Sequence, residues 1–238
     1  MADALSSMED AQLKGLWEVE NRFFAQFERV SLPLGGLSLD DYNELYHLVA
    51  KDSYNTHHNM SNIQIADVGC WTGLSSLLFA HIAFPKAGKV HSIDWFQGSE
   101  ATNLDFAGKY FNIKKIFEDN IKQFEFGKCI DIVEGATSEA HNKFQNEFFD
   151  VVFLDADHRY GHVKKDIQNW LPKVKYGGIL CGHDCEFLFT KGAESIYEYA
   201  KDKDIIEAIH VGVGRALHEE LPDAKHTHSG KIWFYKRV

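Results

Sequence analysis

Apolar residues along this chain recur with two different periods, and the change of period divides it. In residues 13–30, Leu13, Leu16, Trp17, Phe23, Phe24, Phe27 and Val30 fall at helical spacing, and Ser31-Leu-Pro-Leu-Gly-Gly ends the pattern. A second helix is predicted to begin after Ser38, with Asp40 and Asp41 at its positive end and Tyr42, Leu45, Leu48 and Val49 on one face. From residue 63 the texture changes. Residues 63–68, 89–93, 129–133, 151–154 and 178–181 are short apolar runs that read as strands. Between them, 74–83, 107–124, 138–144 and 160–171 read as helices, the first stopping ahead of Pro85, which disfavours helical geometry in the residue before it. Such alternation predicts an α/β fold with a mostly parallel sheet covered on both faces. Beyond it, 194–208 is rich in helix formers, 213–221 reads as a helix, and 225–228 and 231–236 can pair around Ser229-Gly230.

Two parts follow from this division: an N-terminal helical extension over residues 1–60 and a sheet domain over 61–238. Packing against the sheet is the simplest task for the extension; a substrate cap or a contact in a homo-oligomer is the alternative.

Composition narrows the picture. With 238 residues, 45% of them hydrophobic and 13% aromatic, the chain can bury a sizeable core. No apolar run approaches a bilayer span, and the first residues lack the basic-then-apolar order of a secretion signal, so a cytoplasmic protein with no membrane partner is expected. The four cysteines, Cys70, Cys129, Cys181 and Cys185, have no zinc-ribbon spacing and read as free thiols. A formal net charge of −10 argues against a general nucleic-acid binder.

The densest chemistry lies at the ends of the predicted strands. The first strand delivers Asp67-Val-Gly69-Cys-Trp-Thr-Gly73-Leu-Ser75, an acid and two glycines leading into a helix. Such a turn lets backbone approach a ligand with no Cβ in the way. The second strand ends at Asp94, and the third runs into Gly135-Ala136-Thr137-Ser138. The fourth ends in Asp155-Ala-Asp157-His158, and the fifth, after Gly177-Gly178, in His183-Asp184. In an open α/β sheet these groups should converge on one cleft at the carboxyl ends of the strands. Carboxylates from two neighbouring strands suit a hard divalent cation, while Asp157 reads as a helix-start acid.

Together these motifs resemble class I S-adenosylmethionine-dependent methyltransferases, whose Rossmann-like sheet is mostly parallel and closes with a terminal antiparallel hairpin. The Asp-x-x-His element and the strand ending in His-Asp are similar to metal-dependent O-methyltransferases acting on macrolide sugars, and more distantly to catechol O-methyltransferase. The resemblance implies cofactor contacts at Asp67, Gly69, Gly73, Ser75, Asp94, Gly135, Ala136, Thr137 and Asp155. It implies Mg2+ or another divalent cation on Asp155 and Asp184, and His158 as general base, with Asp155 beside it in catalysis. One position departs: His183 stands where the sugar enzymes carry an acid. Imidazole is a poorer magnesium ligand, so a site using His183 is expected to be weaker, to prefer manganese or iron, or to be empty. The alternative is that Asp155 and His158 shape the methionine end of the cofactor pocket without metal.

The leading expectation is methylation of a hydroxyl on a small, sugar-like or other molecule. Two others are carried beside it: a cofactor-binding accessory protein without catalysis, and a nicotinamide-dependent enzyme, against which the missing third glycine of a dinucleotide loop speaks.

Overall fold

A computed structural model describes residues 37–56, 61–98, 108–186, 204–206, 209–227 and 231–238. The predicted helix at 13–30 and most of the 194–208 stretch lie outside the described residues, as do His57, His58 and His228. The unit built on the sheet runs from Gly35 to Val238.

Its first element, α1 (Leu39–Thr56), is started by a reciprocal cap. The Asp41 carboxylate accepts from the Ser38 backbone N–H (2.8 Å) and hydroxyl (2.6 Å), while Asp41 N–H donates to Ser38 Oγ (3.2 Å). Tyr42, Leu45 and Val49 of this helix are buried, as their spacing predicts.

The rest alternates as expected: β1 (Gln64–Val68), α2 (Leu74–Ala83), β2 (Lys89–Asp94), α3 (Ile113–Lys122), β3 (Ile130–Glu134), α4 (Thr137–Ala140), β4 (Phe149–Leu154), α5 (Tyr160–Trp170), β5 (Val174–Gly182), α6 (Val211–Glu220), β6 (Lys225–His226) and β7 (Trp233–Lys236). The strands lie in the order β3-β2-β1-β4-β5-β7-β6. β1 to β5 are parallel, and β7 enters antiparallel between β5 and β6. This is the Rossmann-like methyltransferase sheet with its terminal hairpin. β1 and β4 flank the point where the strand order reverses, so the crevice opens above their carboxyl ends. Both strands are buried almost throughout, which explains why they read as continuous apolar runs.

Three elements differ in extent from their sequence patterns. The predicted helix at 107–124 is interrupted: residues 108–110 are helical, and α3 starts afresh after Asn112, whose side chain accepts from Lys115 N–H. The predicted helix at 138–144 divides into α4 and a 3₁₀ turn at His141–Lys143. β5 starts earlier, at Val174, through polar and glycine residues that no local pattern marks as strand. Its pairing there comes from the tertiary neighbour: Gly177 N–H donates to Arg237 O (2.7 Å), and Arg237 N–H to Gly178 O (2.9 Å). Among the described residues no helix is long and apolar enough to cross a membrane. The four cysteines are buried and form no disulfide.

Candidate active site

The loop after β1 is clamped on every side. Gly69 N–H donates to Ile93 O (2.8 Å), and Asn120 of α3 donates to Thr72 O (2.9 Å). Gly69 has φ +92°, and a Cβ there would lie 2.3 Å from the backbone oxygen of Asp155. Only glycine lets the β1 and β4 loops pass this closely. Gly73, at φ +97°, is the left-handed residue that opens α2.

Asp67 is fully buried beneath this loop. Its Oδ2 accepts from Ser75 (2.8 Å) and Ser76 (2.5 Å), and Ser76 also meets Ser92 (2.7 Å). Burial pushes the carboxyl up to about 7 against the pull of the serine bonds. Asp67 and Ser75, expected as cofactor contacts, therefore hold the loop to the helix beneath the cleft.

Above them lies a cleft of about 310 Å³ whose walls include Gly69, Trp71, Asp94, Ala136, Thr137 and Asp155. These six expected or neighbouring residues share one surface; Gly73 and Gly135 shape its loops without lining it. Asp94 is locked by two backbone donors, Trp71 N–H (2.8 Å) on Oδ2 and Phe96 N–H (2.7 Å) on Oδ1. Each oxygen keeps a lone pair for a ligand hydroxyl. Burial raises its pKa, and the backbone bonds oppose the rise. The indole Nε1 of Trp71 is buried and has no hydrogen-bond partner among the described residues. A fixed carboxylate and small residues at Gly69 and Ala136 suit an adenosyl cofactor with its hydroxyls and flat base. Thr137 Oγ1 donates to Asp166 (3.0 Å), whose burial pushes its carboxyl up to about 7.

Asp155 connects this cleft to a second group of side chains. His158 Nε2 lies 3.6 Å from Asp155 Oδ1 and 2.8 Å from Asp184 Oδ2. His183 Nδ1 is 3.0 Å from Asp184 Oδ1, and its Nε2 is 3.3 Å from Asp41 on α1. Asp184 takes a left-handed conformation (φ +57°), which turns its carboxylate between the two rings. The sequence reading missed three members: His210, with its ring 4.9 Å from that of His158; Glu186, which holds His210; and Asp41. Asp41 and His210 come from remote parts of the chain, and Glu186, two residues past Asp184, has no spacing that announces it. Asp157 pairs with Arg159 at the start of α5, as its helix-start reading predicts. His226 meets Cys185 Sγ (3.1 Å) instead.

The electrostatics qualify one expected role. Burial lowers the basicity of His158, but its bonds to Asp155 and Asp184 outweigh that and push its pKa up to about 10. Asp184, despite burial, is held well below the usual carboxylate range by His158 and His183. With both carboxylates turned to it, His158 is held in its protonated form. A divalent cation fits the donor set, since Asp155, His183 and Asp184 present ligand atoms within 4.8 Å of one another, as do His158, Asp184 and His210.

A family model described as a methyltransferase domain matches residues 66–185, which span β1 to the end of β5. The chain belongs to this family. Cofactor-bound Rv0187 from MTB is similar over 89% of this chain and 85% of its own, at 16% identity and TM-score 0.58. The O-methyltransferase NovP is similar over 87% and 84%, at 15% identity and TM-score 0.55. These likenesses establish the fold. Uncharacterized protein y4gI of Sinorhizobium fredii (strain NBRC 101917 / NGR234) is 25% identical over 131 residues, 54% of this chain but only 14% of that protein.

Proposed function

We propose that this methyltransferase transfers the methyl group of S-adenosylmethionine to a hydroxyl of a small molecule, with help from a divalent cation. The observation that carries the reading is the meeting of Asp155, His158 and Asp184 beside the cleft that Asp155 itself lines. An alcohol is a poor nucleophile near neutrality, and a methyl acceptor of this kind needs its proton removed. When bound, the cofactor supplies an electrophilic methyl group and the cation lowers the pKa of the hydroxyl it touches. Asp155 and Asp184 are the residues that would hold the cation. Asp94 would accept from ribose hydroxyls through the lone pairs its backbone donors leave free, and Ala136 would leave room for the base. His158 holds a proton at Nε2 while both carboxylates face it, and accepts one there when they are engaged elsewhere.

The direct test gives the purified protein labelled S-adenosylmethionine and a panel of small hydroxylated acceptors, with and without chelator. Methyl transfer to a hydroxyl that chelator suppresses is expected. Absence of cofactor binding by calorimetry would sink the reading entirely. Transfer indifferent to chelator would remove the cation from it.

A further inference from the structure

The proposed function places a cation between two carboxylates, yet most of the side chains surrounding those carboxylates are imidazoles. Around Asp184, His158 Nε2 lies at 2.8 Å, His183 Nδ1 at 3.0 Å and His210 Nδ1 at 3.6 Å. Asp155 Oδ1 is 3.6 Å from His158 Nε2 and 3.9 Å from His183 Nδ1. Donor atoms on adjacent corners around an ion with bonds of about 2.1 Å stand roughly 3.0–3.4 Å apart. The gaps in this cluster are near such edges.

One of the three rings also has a carboxylate behind it. His183 turns Nδ1 toward the cluster and Nε2 toward Asp41 Oδ2 at 3.3 Å, with both side chains buried. Glu186 holds His210 at the backbone N–H (2.9 Å) and at ring Nδ1 (2.9 Å), the same nitrogen that faces Asp184. Carboxylates placed behind imidazoles fix ring orientation and strengthen metal ligation. Magnesium favours oxygen donors and retains its water, whereas imidazole suits manganese, iron, cobalt and zinc.

We infer that the centre is a mixed histidine–carboxylate site that selects a transition-metal dication over magnesium, with Asp155, His183 and Asp184 at its heart and Asp41 as the positioning residue for His183. The inference rests on the cation-assisted reading and adds the class of cation to it.

The test uses the full chain, freed of metal with chelator and then titrated with Co2+, Mn2+ or Mg2+ by calorimetry. Proton NMR of the Co2+ form reads ligation directly, since each ligating imidazole contributes a paramagnetically shifted, exchangeable ring N–H. The expected result is a Co2+ Kd at least about 100-fold below that for Mg2+, with such ring signals present. His183→Asp should shrink that preference about tenfold or more, and Asp41→Asn should weaken Co2+ binding about 10- to 100-fold. Thermal unfolding of each variant separates lost ligation from lost fold, and His210→Gln offers a second, milder probe. Mg2+ binding within tenfold of Co2+, or a Co2+ form without shifted ring signals, overturns the inference. Methyl transfer supported by Mg2+ alone would overturn it and leave the proposed function standing. Failure of every cation to bind overturns it as well, and the cluster is then an ion-pair network tying α1 to β5.

Discussion

His183 Nε2, at the end of β5, stands 3.3 Å from the carboxylate of Asp41 on the first turn of α1. The same carboxylate caps α1 through Ser38. Burial raises the pKa of Asp41, but the Ser38 bonds and the neighbouring His183 imidazole outweigh it and hold the group down to about 2. Asp41→Ala therefore removes a helix cap and a buried partner together, and is expected to cost about 1–3 kcal/mol in denaturant unfolding. A depressed pKa contributes stability that is present above the unfolded value of 3.8 and lost as pH falls through about 2. The difference between variant and parent should thus narrow below pH 4; an equal difference at pH 3 and pH 7 would contradict this account.

Asp94→Asn places an amide N–H₂ against one of the two backbone donors that lock the carboxylate, Trp71 N–H or Phe96 N–H. A buried donor then faces a donor, at about 1–3 kcal/mol. Calorimetry with S-adenosylmethionine should show affinity reduced about 5- to 100-fold. Undiminished affinity would take Asp94 out of the cofactor site.

His158 meets Asp155 and Asp184 outside the cleft walls. In His158→Gln, kcat is expected to fall about 10²- to 10⁴-fold, the usual range for a lost proton-transfer group. The cofactor Kd should stay within about twofold. Parallel losses in both would mark His158 as part of the pocket scaffold.

Asp166 is buried on α5, and its pKa is raised from 3.8 to about 7. A raised carboxyl favours the folded state while protonated, so its contribution is complete below 3.8 and is lost as pH rises through about 7. Asp166→Asn keeps an acceptor for Thr137 Oγ1 and carries no charge. Its stability relative to the parent should climb by roughly 1.4 kcal/mol per pH unit across that window. Denaturant melts at pH 5 and pH 8 decide the matter, and a difference that does not change with pH refutes it.

Gly69→Ala brings a Cβ within 2.3 Å of the Asp155 backbone oxygen at a φ of +92°. Backbone on both sides leaves no side chain to yield, so a loss of about 2 kcal/mol or more is expected from thermal unfolding. Cofactor affinity should fall with it, because the β4 loop must move.

Much of this molecule is legible in the order of its residues. The continuous apolar runs at β1 and β4 predict strands buried on both faces, and α2 ends before Pro85 as expected. Strand-end positions also brought Asp94, Ala136, Thr137 and Asp155 to one cleft. Other features show where local reading stops. Asp67 and Ser75 occupy the expected motif, yet they serve the loop from beneath, because side-chain direction at a strand end depends on what packs above it. β5 begins at Val174 because it pairs there with Phe149 of β4, and Arg237, far along the chain, completes the bonding at Gly177 and Gly178.

The chemistry divides along the same line. Short-range order by itself determined the alternation of strand and helix, the tight loop at Gly69 and the carboxylates delivered to strand ends, because each depends on neighbours a few residues apart. Only the tertiary structure decided that Asp184 faces three imidazoles, that His210 and Glu186 join the cluster, and that Asp41 stands behind His183. Apart from His183 beside Asp184, those contacts join side chains remote in sequence, and the resulting charge balance, which leaves His158 protonated beside two carboxylates, exists only once the chain has folded.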